Sequence, residues 1–297
     1  MAKRKTISRP VQVGSLIIGG NAPVSVQGMT KTKTADLCNT LNQIRSLCDV
    51  GAEIIRLAIR DQDDLTAFKS LRKKTTLPLV ADIHFRSGLA LDAIKSGADK
   101  IRLNPGNIKN PEQLKKIIKE AKKRKIAIRI GVNSGSLPPH LTSPSRGEDS
   151  DIVDSPARGE EFISTIPLPW RERRGKGDEI ALAQTMVSAA ENYLKIFEAE
   201  DFQNLVVSLK SSSVRTAILA NRIFRQRFDY PLHLGITEAG RGNLALVKSA
   251  IGIGSLLEEG IGDTIRVSLS ESPEKEIEAG RQILQGPHLQ GDHLQGG

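Results

Sequence analysis

The chain has 297 residues, 38% hydrophobic and 26% charged, a balance that supports a sizeable core and excludes a disordered or fibrous polypeptide. Its formal net charge is +9 with only 3% aromatic residues, so anionic ligands fit but a stacking platform for nucleic acid does not, and no nucleic-acid partner is expected. No window approaches ~18 uninterrupted apolar residues, and the basic opening MAKRKTISRP has no apolar segment behind it, so a cytoplasmic protein without a membrane partner is expected.

Taken in chain order, RPVQVGSLIIGGNAP (9–23) reads as a short hairpin, placed as a plug under the main fold. APVSVQ (22–27) is the first strand, followed by a helix over 35–50 with Leu37, Leu41, Ile44 and Leu47–Cys48 at helical spacing. Cys38 and Cys48 both fall on that helix. Their spacing matches neither a disulfide framework nor a metal site, and two small buried or half-buried thiols are expected.

EIIRLAI (53–59) precedes a helix over 62–74, and PLVADIHF (78–85) precedes SGLALDAIKSG. KIRLN (100–104) leads to a helix opened by Pro111, in which Ile117, Ile118 and Ala121 form an apolar stripe and the lysines of KKIIKEAKKRK (115–125) a solvated face. IAIRIGVN (126–133) is the fifth strand. NLVVSLK (204–210) follows a helix over 179–199, and PLHLGIT (231–237) and TIRVSL (264–269) complete eight strands, each with a helix behind it. Eight βα units without a reversal, and without a G-x-G-x-x-G turn after the first strand, predict an α/β fold, a (β/α)8 TIM barrel.

Residues 142–177 interrupt the pattern with a near-duplicate (SPSRGED, SPARGEE), several prolines and the single tryptophan. They read as a largely disordered insert after the fifth barrel strand, functionless rather than a lid, the alternative. The predicted barrel is one domain made of 1–141 and 178–285. Residues 286–297 form a low-complexity tail, in which His288 and His293 suggest no metal site.

One phrase recurs: GAEIIRL (51–57), GADKIRL (97–103), GIGDTIRV (260–267) and, more loosely, IAIRIGV (126–132). The glycine is expected to end a helix in the left-handed conformation, and an arginine then stands inside an apolar strand. By the period of two, Arg102 shares a face with Asn104, Arg129 with Asn133, Arg266 with Ser268, Asp82 with His84 and His233 with Thr237, while Lys210 ends its strand. All lie in the C-terminal halves of their strands, the end at which TIM barrels place their sites. A lone strand arginine facing solvent or a carboxylate is the ordinary case. Several cations converging on one covered rim need a counter-charge that Asp82 and Glu238 are too few to supply, so a phosphorylated, diphosphate-like small molecule is expected there.

VQGMTKTKTAD, IIRLA, ADIHF, KIRLNPGN, RIGVNSGSL, SLKSS, HLGITEAG and TIRVSLS, in this order, resemble the 4-hydroxy-3-methylbut-2-enyl diphosphate synthase family over roughly residues 5–284 apart from the insert. The resemblance implies reductive ring opening and dehydroxylation of 2-C-methyl-D-erythritol 2,4-cyclodiphosphate in the methylerythritol phosphate route to isoprenoids. It also implies flavodoxin or ferredoxin as electron donor and, in the full-length family, a homodimer. Arg56, Arg102, Arg129, Lys210 and Arg266 would clamp the diphosphate, with Asn104, Asn133 and Ser268 adding hydrogen bonds. Asp82 and His84 would lie near the substrate hydroxyls, and Glu238 would supply a proton as the C–O bond breaks. The family's [4Fe-4S] cluster is held by three cysteines and a glutamate of a separate C-terminal domain. Those ligands are absent here, so no metal site is expected in this chain, which reads as a truncated product that binds substrate without turning it over. The family's VQSMT appears as VQGMT, a small loss of one hydroxyl. A dihydropteroate-synthase-like barrel acting on another phosphorylated substrate, and a non-catalytic basic anion-binding protein, are the alternatives.

Overall fold

A two-stranded antiparallel hairpin, β1 (Val11–Val13) and β2 (Leu16–Ile18), opens the fold, turning at Gly14 with φ +57°. The computed structural model describes residues 7–83, 87–103, 110–137, 176–240 and 242–286. The predicted insert falls almost wholly outside these, as do the tail histidines.

Eight parallel strands follow: β3 (Ser25–Met29), β4 (Ile54–Ile59), β5 (Leu79–Ile83), β6 (Lys100–Leu103), β7 (Ala127–Asn133), β8 (Leu205–Lys210), β9 (His233–Leu234) and β10 (Thr264–Ile265). Their spatial order is β8-β7-β6-β5-β4-β3-β10-β9, and a parallel bridge between Val207 and Leu232 joins the two ends into a barrel. The ladder of β10 runs past its formal end, since the Arg266 amide donates to the Leu234 carbonyl at 3.0 Å. Eight helices cover the outside: α1 (Leu37–Asp49), α2 (Gln62–Arg72), α3 (Ser87–Lys95), α4 (Pro111–Arg124), α5 (Lys176–Ala199), α6 (Val214–Arg227), α7 (Gly242–Glu258) and α8 (Pro273–Leu284). None of the described helices is long and apolar enough to cross a membrane.

The helix starts follow from local chemistry. Asp36, Asp61, Asn110 and Ser213 each accept a backbone N–H of the first turn through the side chain. Pro111 sits in the first turn of α4, where its missing donor costs nothing. Leu114, Ile117, Ile118 and Ala121 turn inward, which leaves the α4 lysines in solvent as expected. Gly51 and Gly97 end their helices at φ +93° and +92°, as the repeated phrase requires. Before β7 the same conformation falls to Lys125, at φ +55°, which explains why that copy of the phrase is looser.

Side-chain parity divides the strands cleanly. Ile55, Leu57, Leu79, Ala81, Ile101, Leu103, Ile128 and Ile130 point outward into the main core against the helices. Ile54, Val80, Ala127 and Val206 point inward and pack with Val11, Val13 and Ile18 of the hairpin. The hairpin is therefore an apolar floor under the barrel.

One expectation needs correction. Cys38 and Cys48 are both exposed, because the inward stripe of α1 runs through Thr40, Ile44 and Leu47 and turns both thiols to solvent. The VQGMT glycine also lies away from the barrel interior. A Cβ on Gly28 would meet Ile277, Ile55 and Leu47 at 3.2–3.4 Å, so the position belongs to the outer apolar layer.

A cationic well at the barrel mouth

Each inward floor residue is followed two positions later by a polar one: Ile54 by Arg56, Val80 by Asp82, Ala127 by Arg129 and Val206 by Ser208. The next inward residue on β8 is Lys210, opposite Asn133 of β7. Asp82, Arg102 and Arg129 are paired in one row across β5, β6 and β7. On β4, β5, β7 and β8 the alternation places hydrocarbon at the bottom of the barrel and charge or a hydroxyl above it, while β3, β6, β9 and β10 begin on inward polar residues, Ser25, Lys100, His233 and Thr264.

Two carboxylates serve these cations. Asp82, fully buried, accepts from Arg56 Nε at 3.0 Å and from an Arg56 terminal nitrogen at 2.8 Å, and its other oxygen takes Arg102 at 3.4 Å. Glu276 of α8, 2% exposed, holds Arg266 at 3.2 Å, Lys31 at 3.1 Å and the Leu269 amide at 3.0 Å. Arg129, 2% exposed, makes no ion pair among the described residues, and its Nε and one terminal nitrogen have no hydrogen-bond partner there. Lys210 likewise makes no ion pair with a carboxylate among the described residues.

The electrostatics register this excess. Burial, and then the charges of Arg56 and Arg102, push Arg129 well below the ordinary guanidinium range. Burial followed by Arg129, Arg266, Arg56 and Arg102 does the same to Lys210. Arg102 and Arg266 are lowered too, first by burial, although Asp82 and Glu276 respectively work in the opposite direction. Burial and then Arg129, Lys210 and Lys100 hold His233 well below its usual value, and neither of its ring nitrogens has a partner. Buried polar atoms in native proteins are almost always satisfied. Orphaned donors gathered in one well match an oxygen-rich anion.

The structure brings together Arg56, Asp82, Arg102, Arg129, Lys210 and Arg266, with Asn133 and Ser268 half-buried on the inward parity of their strands. Glu238 is exposed beyond β9, at φ +51°. His84 and Asn104 lie outside the described residues. Glu276 was missed from the sequence because it sits on a helix in SPEKE, where charged neighbours suggest a wet face. Lys100 was missed although parity already placed it two residues below Arg102.

Cys38 and Cys48 do not fit an iron–sulfur cluster. Ten positions on one helix separate them by ~15 Å, and three thiolates are needed where the sequence has two cysteines. Among the described residues, no group of three or more His, Cys, Asp or Glu could hold a metal ion.

Comparison with known proteins agrees with this geometry. The model of the GcpE TIM-barrel domain family matches residues 8–281. A 4-hydroxy-3-methylbut-2-en-1-yl diphosphate synthase (flavodoxin) of Caldicellulosiruptor saccharolyticus is 43% identical over 283 residues, covering 95% of this chain and 72% of its own length. Its namesake in Dehalococcoides mccartyi (strain CBDB1) is 45% identical over 282 residues, covering 95% and 71%. Among solved structures, Yersinia pestis dihydropteroate synthase superposes with a TM-score of 0.59 at 12% identity, over 93% of this chain and 97% of that one, a likeness of fold alone.

Proposed function

The chain belongs to the GcpE TIM-barrel family, and on that premise we propose that it is the substrate-binding barrel of a 4-hydroxy-3-methylbut-2-enyl diphosphate synthase. Residues 1–141 and 178–285 act as one unit that takes 2-C-methyl-D-erythritol 2,4-cyclodiphosphate into its mouth. The observation that carries this reading is the surplus of cations over carboxylates among the described residues of the well, with Arg129 buried and two of its nitrogens without a partner there.

Arg56 and Arg102, held by Asp82, present guanidinium forks to the diphosphate oxygens. Arg129 and Lys210 supply charge from below and beside it, and Arg266 approaches from the strand opposite. These cations stabilise the charge that gathers on the departing phosphate oxygen. Asn133 and Ser268 add hydrogen bonds, with Asn104 and His84 assigned to the same rim by motif. Glu238 delivers the proton as the C–O bond breaks. Its left-handed backbone, unusual for a side chain with a Cβ, fits a residue held for function rather than stability.

The cluster's thiolates would have to come from outside these residues, so no reductive step is assigned to this chain. Flavodoxin, which the relatives' names carry, is the proposed donor to the assembled enzyme, and the proposed location is the cytoplasm. A homodimer is the proposed assembly. Leu244, Val247 and Ile251 form an exposed apolar stripe on α7 that suits burial against a second copy.

Isothermal calorimetry with the cyclodiphosphate tests the substrate. Saturable binding that weakens with salt and is lost in Arg102→Ala is expected; no heat from a folded sample would remove the assignment.

A further inference from the structure

We propose that Lys100 is the floor cation of the anion well, uncharged while the well is empty and protonated from solvent when a diphosphate enters. This rests on the reading of the mouth as a diphosphate site and adds to it a residue and a proton.

Lys100 opens β6 on the inward parity, two residues below Arg102, while Ile101 and Leu103 face the helices. It is fully buried, among the largest side chains so enclosed, and its Nζ has no hydrogen-bond partner. Its Cα neighbours are Val80 and Ala127, both in the apolar floor. The side chain therefore starts at the hydrocarbon layer, in an interior shared with the unpartnered His233 ring, on which its charge acts, and with Arg56 and Arg129, whose charges act on it. Burial, then Arg129 and Arg56, drive its amine well below the ordinary lysine value.

The charge balance says which groups yield. The guanidinium groups of Arg102, Arg129 and Arg266, though lowered, keep their protons at any working pH. The carboxylates facing them are Asp82 and Glu276, already engaged with Arg56, Arg102, Arg266 and Lys31. The groups able to discharge are Lys100, Lys210 and His233. Lys210 is a neighbour of the outer rim, and the His233 shift lies below its usual 6.5, outside the neutral-to-alkaline range. Below the ordinary lysine value of 10.5 the proton deficit thus falls on the two lysines, and Lys100 is the deeper. A bound diphosphate brings negative charge into the same enclosure and reverses the sign of the local field, so the amine regains its proton.

The test is calorimetric titration of the full chain near pH 8 in two buffers of different ionisation enthalpy, with the cyclodiphosphate and with inorganic pyrophosphate. Binding is expected to take up protons, and Lys100→Met is expected to lose a large part of that uptake and to bind at least tenfold more weakly while remaining folded by circular dichroism. Lys100→Gln serves where the methionine variant does not fold. Binding without proton uptake in the unmodified chain would overturn the proposal and leave the substrate reading standing. Unchanged uptake and affinity in the folded variant would overturn it equally. Pyrophosphate binding with uptake, but no response to the cyclodiphosphate, would keep Lys100 and remove the substrate reading. Response to neither anion would remove both.

Discussion

Glu276 and Arg266 meet at 3.2 Å across the junction between the last helix and the last strand of the barrel, and the same carboxylate holds Lys31 from the first βα loop. One helical acid thus closes the circle of βα loops where the chain's two ends of the barrel adjoin. Glu276→Gln should leave Arg266 without its charge partner and cost about 3–5 kcal/mol, the usual penalty for breaking a buried pair. Denaturant unfolding would measure it, and diphosphate affinity should fall with it because Arg266 loses its orientation. An unchanged midpoint would show that Arg266 needs no such anchor.

Arg129 predicts the opposite relation between stability and function. Its buried charge makes no ion pair among the described residues, so Arg129→Met should stabilise the empty protein by roughly 1–4 kcal/mol, as replacing buried charge with hydrocarbon can do. The same variant should bind diphosphate at least a hundredfold more weakly. A destabilised Arg129→Met would mean that the guanidinium contributes to the fold.

The stability of the ligand-free chain should rise with pH on the approach to the ordinary lysine value of 10.5. The sign follows from Lys100 and Lys210, whose folded-state values are depressed. Between the folded and unfolded values the unfolded chain binds more protons, so each step up in pH removes part of the penalty. His233 adds the same slope, but below 6.5. Saturating pyrophosphate should flatten the alkaline slope. Thermal melts at about pH 7, 8 and 9 with and without it are the measurement, and a falling curve in the free protein would contradict the charge states assigned to the well.

Gly235 lies where backbone and charge crowd together. A Cβ there would stand 2.6 Å from the Arg266 carbonyl oxygen and 2.7 Å from Lys210 Nζ. Gly235→Ala should therefore cost about 1–3 kcal/mol by overpacking and displace Lys210. Gly88→Ala, with open space around its added carbon, should be nearly neutral and is the control.

Both thiols should react with a small disulfide reagent in the native state, since Cys38 and Cys48 are exposed on α1. Their replacement by serine should leave folding and diphosphate binding intact. Loss of binding in the double variant would revive a role for them.

How far the sequence carried the argument can be seen in Arg56 and Glu276. Arg56 was legible because a parallel strand covered on both faces has no place for a cation except a polar interior, and the period of two fixed its side. Repetition of the phrase in four strands then turned a single oddity into a pattern. Glu276 was not legible, because a helix with charges all round gives no parity, and its burial depends on how α8 docks against β3 and β10. The same dependence misplaced the cysteines. Leu47 and Cys48 are adjacent in sequence but lie on opposite sides of the stripe boundary, which only the packed helix draws.

The hairpin beneath the barrel makes the chamber a cul-de-sac. Val11, Val13 and Ile18 pack hydrocarbon against its lower end, so among the described residues anions, water and protons have their approach on the side of the arginines. Whatever is formed inside must leave past the same charges that drew its precursor in. Departure against that attraction, rather than arrival, is the traffic step that salt should hasten.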